Sequence, residues 1–255
     1  MPATPAPRPT AKSRLDQALV ARGLAETRSK AQGLIMAGLV FVAGRRADKP
    51  GAPVAADAAI DVRGKEHPYV SRGGVKLAAA LDHFAIDPRD KVCLDVGAST
   101  GGFTDVLLQL GAARVYAVDV GHGQLDWRLR NDGRVVVLER VNARHLTKVQ
   151  VPEPVNLIVC DASFIGLATI LPAPLALAAP GARLVALIKP QFEVGPQHVG
   201  KGGIVRDAAQ QQAARDRVVA WLGAQDGWTV RGVIESPIQG ADGNREFLLA
   251  AVRES

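Results

Sequence analysis

The run Leu94-Asp95-Val96-Gly97-Ala98-Ser99-Thr100-Gly101-Gly102-Phe103 limits what this chain can fold into more than any other stretch does. A short apolar segment, 92–96, leads into the glycines, and a helix-like segment, 103–110, follows at once. The spacing predicts a buried strand, a tight turn and a helix whose N-terminus faces that turn. Glycine allows such a turn and lets a ligand approach the backbone. The first N–H groups of the helix lack intrahelical partners and favour an anion there. Strand-like segments recur at 115–118, 135–138, 157–160 and 184–188 with helical stretches between them, and 207–222 reads as a polar helix. That alternation predicts an α/β fold with a parallel sheet covered on both faces. The segments 229–234 and 246–252 are joined by a short connection rich in Pro, Gly, Asp and Asn, which suits a hairpin and an antiparallel C-terminal edge. The glycine spacing departs from G-x-G-x-x-G, and the absence of a following Lys-Ser/Thr pair excludes a P-loop.

The chain upstream has a different character. Ser13 can cap a helix from Arg14 that carries Leu15, Ala18 and Leu19 on one face and stops at Gly23. Thr27 can cap a second helix with Ala31, Leu34 and Ile35 on one face, ended by Gly38. Extended pieces follow at 39–42, a turn at Ala43-Gly44 and a return at 58–62, so 12–62 is expected to form a small α+β module. The Pro/Ala/Thr-rich segment 1–11 is expected to be a disordered tail, 63–69 a linker and 70–255 the α/β domain. The formal net charge is +6, and between Arg8 and Pro50 there are nine basic residues against three acidic ones. Arg14, Arg22, Arg28, Lys30, Arg45 and Arg46 are therefore candidate contacts to a polyanion. Arg28 and Lys30 open a helix, where cations oppose the macrodipole, and a phosphate partner would explain them.

Cys93 and Cys160 lie in apolar runs and suggest no disulfide and no metal site, so a reducing, cytoplasmic setting is expected. The apolar stretch 165–180 is too short to span a membrane and is interrupted by Pro172 and Pro174, which leaves no membrane-lytic segment. The glycine loop offers Asp95, Gly97, Ser99, Gly101, Gly102 and Phe103 to a ligand at the strand ends. Asp119, with Val120 beside it, ends the next strand about 20 residues on, where an acidic side chain accepts hydrogen bonds from ribose hydroxyls. This pattern resembles the S-adenosylmethionine loop of class I methyltransferases. After the fourth strand comes Val159-Cys160-Asp161-Ala162-Ser163-Phe164, with neither the Pro-Pro-aromatic motif of base amino-group methyltransferases nor a Pro-Cys nucleophile. Asp161, Lys189 and Glu246 remain at strand ends, with Lys76 on an upstream helix. Such a set suits a weakly acidic hydroxyl nucleophile, which needs a base or a stabilised oxyanion. His122, between two glycines, is assigned to shaping the loop rather than to catalysis.

The upstream module resembles the S4 RNA-binding domain through Arg14-Leu15-Asp16-Gln17-Ala18-Leu19-Val20, Arg28-Ser29-Lys30-Ala31-Gln32 and Ile35-Met36-Ala37-Gly38-Leu39-Val40. The whole chain after Lys12 resembles the TlyA, or hemolysin A-like, family of ribosomal RNA 2′-O-methyltransferases, which join an S4 domain to an FtsJ-like methyltransferase domain. The matching runs include Tyr69-Val70-Ser71-Arg72-Gly73-Gly74-Val75-Lys76, Asp161-Ala162-Ser163-Phe164-Ile165, Ile188-Lys189-Pro190-Gln191-Phe192-Glu193, Gly200-Lys201-Gly202-Gly203 and Gly243-Asn244-Arg245-Glu246-Phe247. The resemblance implies a class I, Rossmann-like S-adenosylmethionine methyltransferase sheet preceded by the S4 domain. It also implies a catalytic tetrad at Lys76, Asp161, Lys189 and Glu246, and cytidines of ribosomal RNA, free or in subunits, as substrate. Base methylation and a purely RNA-binding role are the competing expectations.

Overall fold

The structure, a computed structural model, describes residues 12–25, 27–62, 67–240 and 242–254. The expected tail and residues 63–66 of the expected linker lie outside the described residues. The chain divides into two compact units between Pro68 and Tyr69.

In the first unit the order is β1 (Lys12–Arg14), α1 (Leu15–Ala21), α2 (Arg28–Met36), β2 (Val40–Val42), β3 (Arg45–Arg46), β4 (Pro53–Ala55) and β5 (Ile60–Val62). β1 pairs with β4, while β2 lies between β3 and β5, all antiparallel. Leu15, Leu19, Ala31, Ile35, Val40 and Val54 form one small core. The first helix begins one residue later than its sequence suggests: Ser13 belongs to β1, and Arg14 occupies the N-cap position without a side-chain cap. Thr27 does cap α2, its Oγ1 accepting from Lys30 N at 3.2 Å. Both helices stop at a glycine with φ near +70°, Gly23 and Gly38. The two N–H groups after each helix bond back to Val20 and Leu19, and to Ile35 and Leu34, closing Schellman turns. The hairpin turn places Ala43 and Gly44 at φ +49° and +76°, the hand that matches strand twist.

The second unit contains α3 (Gly73–His83), β6 (Val92–Val96), α4 (Gly102–Gln109), β7 (Arg114–Asp119), α5 (Trp127–Arg130), β8 (Val135–Glu139), β9 (Val155–Cys160), α6 (Leu167–Ile170), α7 (Pro172–Ala176), β10 (Ala178–Ile188), α8 (Pro190–Glu193), α9 (Ala208–Gly223), β11 (Trp228–Glu235) and β12 (Phe247–Arg253). The strands form one sheet in the order β11-β12-β10-β9-β6-β7-β8. Pairs among β6–β10 are parallel, and β12 runs antiparallel to both β10 and β11. Period-two alternation sends Leu94, Val96, Val118, Ile158, Cys160, Leu184 and Ile188 to one face, under α6, α7 and α9. Cys93, Val115, Ala117, Leu157, Val159, Val185 and Leu187 go to the other, under α3 and α4. Both faces are apolar, which is why these strands read as continuous hydrophobic runs. β10 starts earlier than expected, at Ala178, which already pairs with Val155 of β9; an irregularity between Ala178 and Arg183, with Gly181 at φ +74°, separates this pair from the rest of the ladder. Strand order reverses between β6 and β9, and ligands of open α/β sheets bind at such a switch point.

Candidate active site

The ends of β6 and β9 meet at that switch point, with Asp161 N donating to Val96 O at 3.1 Å. Gly97, at φ +84°, turns the chain there, and a Cβ on it would stand 2.9 Å from the Ala162 backbone. Only glycine fits both the dihedral and the space. Gly101 ends the turn at φ +94° as the N-cap of α4, where a Cβ would lie 2.3 Å from Leu129 Cδ1. A Cβ on Gly102 would sit 3.0 Å from Gly74 N, so the N-termini of α3 and α4 approach one another closely. Two connected clefts open beside this loop, and Gly97, Ser99, Asp161 and Ser163 line both.

The larger cleft, about 730 Å³, is lined by Val118, Asp119, Val120, Asn142, Ala143 and Ile165 among others. The Asp119 carboxylate accepts from Ser99 N at 2.8 Å and Gly121 N at 2.7 Å, one bond to each oxygen, which leaves each oxygen a further lone pair. The smaller cleft, about 240 Å³, holds Lys76, Asp161 and Lys189 with Gly102 and Phe103. Lys189 Nζ stands 2.7 Å from Asp161 Oδ1, 3.2 Å from Asp161 O and 2.8 Å from Ser163 Oγ. Lys76 Nζ stands 2.5 Å from Glu246 Oε2, and both side chains are nearly buried. The four residues named by the family resemblance thus form two ion pairs around one cleft, although Lys76 and Glu246 are 170 positions apart.

Two expected ligand contacts face neither cleft. Asp95 is wholly buried beneath the loop, and its Oδ2 accepts from Thr104 N at 3.0 Å and Thr104 Oγ1 at 2.6 Å, while Oδ1 has no partner. Burial, reinforced by the charges of Asp161 and Asp119, pushes its carboxyl up to about 7. Gly101 is covered by Leu125 and Leu129. His122 Nδ1 lies 3.0 Å from Glu139 Oε2, and Gly123 N donates to Glu139 Oε1 at 2.9 Å. The Gly123 bond is the first reason the Glu139 carboxyl is held down at about 2, followed by Arg130. The cluster ties the loop after β7 to the end of β8.

Several lining residues were not singled out from sequence. Ser163 had a signal, since it lies two positions after Asp161 and neighbours two apart share a side in extended chain. Phe164 had none: it is 90% exposed at φ +65°, with its ring 5.2 Å from that of Phe192. A bulky residue in the left-handed region is uncommon and marks strain at functional sites. Ile238 and Gln239 reach the smaller cleft from the β11–β12 connection.

Among the basic residues of the first unit, Arg14 donates to Asp16 from Nε at 3.0 Å and Nη2 at 2.9 Å, and Arg28 Nε donates to Asp16 Oδ2 at 2.9 Å. Asp16 is fully buried and also accepts from Gln32 at 3.0 Å, so Arg14 first, then Gln32 and Arg28, hold its carboxyl far below the usual range. That buried carboxylate supplies an internal counter-charge for Arg28 at the start of α2. Arg22 donates to the carbonyls of Ala55, Ala56 and Ala58. Arg46 packs its guanidinium against Gly38, while Arg45 is exposed. The exposed guanidinium faces of Arg14 and Arg28 remain open to solvent by about half.

Against known proteins, the FtsJ-like methyltransferase family matches residues 69–253 and the S4 domain matches residues 13–60. The 16S/23S rRNA (cytidine-2′-O)-methyltransferase TlyA of Mycobacterium tuberculosis H37Rv is 51% identical over 239 residues, covering 93% of this chain and 89% of its own. Hemolysin A of Brachyspira hyodysenteriae is 42% identical over 236 residues, covering 92% and 98%. A solved structure of a hemolysin candidate from Streptococcus thermophilus superposes with a TM-score of 0.73 at 42% identity, covering 96% of this chain and 89% of that one. No helix among the described residues is long and apolar enough to cross a membrane.

Proposed function

Because the chain belongs to the FtsJ-like methyltransferases, in the TlyA family that adds an S4 domain, we propose that it methylates the ribose 2′-hydroxyl of cytidine in ribosomal RNA, using S-adenosylmethionine. The observation that carries this reading is the pair of ion pairs, Lys189–Asp161 and Lys76–Glu246, at a cleft joined to the glycine loop. The larger cleft suits the cofactor in size and donor set. Its volume lies in the range of small-molecule sites. Asp119 is the group to receive ribose hydroxyls, Val118, Val120, Ala143 and Ile165 supply apolar walls for the base, and the N–H groups of Gly102 and Phe103 at the start of α4, on the smaller cleft, favour the carboxylate. Gly97 and Ser99 border both clefts, Gly102 and Phe103 carry the cradle into the smaller one, and Asp95 and Gly101 act from beneath by fixing the loop.

S-adenosylmethionine supplies an activated methyl group on a positively charged sulfur. The neutral ribose hydroxyl is therefore the partner that needs help from the protein. Lys189 Nζ pairs with the Asp161 carboxylate and donates to Asp161 O and Ser163 Oγ, so three oxygens surround it. To reach the substrate oxygen it must exchange one of them. Ser163 Oγ, an uncharged acceptor, is cheaper to give up than the Asp161 carboxylate. Lys189 then stabilises negative charge developing on the ribose oxygen. If it serves as the base, Asp161 is the carboxylate within reach to take its proton first. Lys76, held by Glu246, adds a second cation to the same cleft. Phe164, on the larger cleft and in ring contact with Phe192, presents an exposed aromatic side chain on which an unstacked base can lie. Exposed basic residues of the S4 unit, Lys30, Arg45 and Arg46 together with the open faces of Arg14, Arg22 and Arg28, supply backbone contacts to the RNA.

The test is transfer of labelled methyl from S-adenosylmethionine to ribosomal subunits and to free ribosomal RNA, followed by nucleoside analysis. Label in 2′-O-methylcytidine is expected. Label on a base would overturn the ribose assignment, and no label on either RNA would overturn the reading as a whole.

A further inference from the structure

Glu246 is followed at once by β12, and the tetrad itself does not explain why its carboxylate stands against Lys76. Its surroundings do. Oε1 lies so close to Gly240 that a Cβ there would come within 2.5 Å. Gly240 N donates to Asn244 O at 2.9 Å and Gly243 N to Gly240 O at 3.0 Å, which folds the chain at Gly240 back over Glu246. The Asn244 side chain is 1% exposed and spends both ends of its amide on a separate loop. Its Oδ1 accepts from Val205 N at 2.9 Å, and its Nδ2 donates to Gly203 O at 2.9 Å. One partner is a donor and the other a carbonyl, so the amide has a single orientation. Gln211 on α9 holds the same loop from the opposite side, Nε2 donating to Val205 O at 2.7 Å. The loop is tight in itself, with Gly200 N donating to Ile204 O at 3.0 Å and Gly202 and Gly203 at φ +79° and +76°.

We propose that Asn244 is a positioning residue for the reaction, fixing the turn around Gly240 so that Glu246 meets Lys76. The loop that carries exposed Lys201 thereby becomes part of the frame of the catalytic cleft. Lys76 lines that cleft, as do Ile238 and Gln239 of the same turn, and Arg72 Nη2 donates to Gln239 O at 3.0 Å from the start of α3. Removing the Asn244 amide leaves the buried Val205 N without its partner, releases Gly203 O and frees the turn, so the Lys76–Glu246 pair loses its register.

The proposal rests on the assignment of Glu246 to the catalytic set, and a mutant cycle separates the two. With the full chain, ribosomal subunits and labelled S-adenosylmethionine, Asn244→Ala is expected to lower kcat about tenfold to a hundredfold, with cofactor Kd and RNA KM within about twofold. In a Glu246→Gln background, followed by single-turnover methyl transfer at enzyme excess so that slow transfer is still read, the same change should cost less than about twofold, because the residue acts through Glu246. Gly240→Ala keeps the Asn244 side-chain bonds yet displaces Oε1, so it reports even if Asn244→Ala fails to fold; it should lower kcat to a similar degree and be equally silent in the Glu246→Gln background. Wild-type kcat in the folded Asn244→Ala or Gly240→Ala protein, or an undiminished loss in the Glu246→Gln background, would overturn the proposal. A fully active Glu246→Gln enzyme would instead overturn the reading of the site on which it rests.

Discussion

Lys189 Nζ donates to two oxygens, Asp161 O and Ser163 Oγ, and stands 2.7 Å from a third, Asp161 Oδ1. Replacing it with Ala should lower turnover by about 10²–10⁴, the usual worth of a general base or comparable group, and leave cofactor affinity nearly unchanged. Single-turnover methyl transfer and calorimetry check the two halves; wild-type transfer by Lys189→Ala would refute its role. Phe164 makes a different demand. Its side chain is 90% exposed, its backbone is in the left-handed region, and its ring contact is with Phe192, so the ring buries little of itself in the fold. Phe164→Ala should raise KM for RNA several-fold with cofactor Kd constant, and an unchanged KM would remove it from the substrate surface. Asp95 yields a prediction about pH. Burial raises its carboxyl to about 7 in the native state, against about 4 when unfolded. Between those values the native state binds the proton that the unfolded state releases, so the contribution of Asp95 to stability falls as pH rises and levels off above about 7. Asn at this position cannot ionise. The Tm of Asp95→Asn relative to wild type should therefore climb from about pH 5 to about pH 8, and a flat difference would show that Asp95 is not displaced.

At the scale of elements, β6, β9 and α4 converge on a space that admits no side chain at Gly97. Because the neighbour there is the Ala162 backbone, it cannot swing aside as a flexible side chain would. Gly97→Val has to spread the β6 and β9 ends or distort φ +84°. It should abolish cofactor binding by calorimetry and also lower Tm by several degrees, whereas a mere block of the ligand would leave Tm intact. In the S4 unit the same coupling of charge to element appears at Asp16. Its buried carboxylate joins the start of α1 to the start of α2 through Arg14, Arg28 and Gln32, so the basic residues at these helix ends serve the fold even where they also face solvent.

For the whole molecule, the unit up to Pro68 carries eleven basic and six acidic residues, and so five of the six net positive charges, and each unit has cores of its own. A chain starting at His67 should fold and bind S-adenosylmethionine as the full protein does. Its affinity for ribosomal RNA should be lower, and the slope of log K against log salt shallower by about 0.7–0.9 for each phosphate that the S4 unit would have neutralised. Filter binding over a salt series measures both; identical slopes with and without the S4 unit would place the RNA-binding surface elsewhere.

How much of this was legible in the chain depends on the distance over which each feature acts. Sheet alternation, the glycine turn after β6, the glycine stops of α1 and α2 and the Thr27 cap follow from period, φ preference and capping chemistry within a few residues, and these are written locally. The four residues were legible as candidates at strand ends and on an upstream helix, but the resemblance to a family joined them as a tetrad, since Lys76 alone reads as a surface helix residue and Glu246 as an ordinary strand partner. Tertiary structure alone decided that Lys76 and Glu246 touch, that Phe164 stands in the left-handed region with its ring largely in solvent, that Asp95 lies beneath the loop rather than along it, and that Asn244 ties the Gly203 loop to the turn around Gly240. Those outcomes depend on which faces of distant elements pack together, and a residue's partner across 170 positions is set by that packing rather than by its neighbours in the chain.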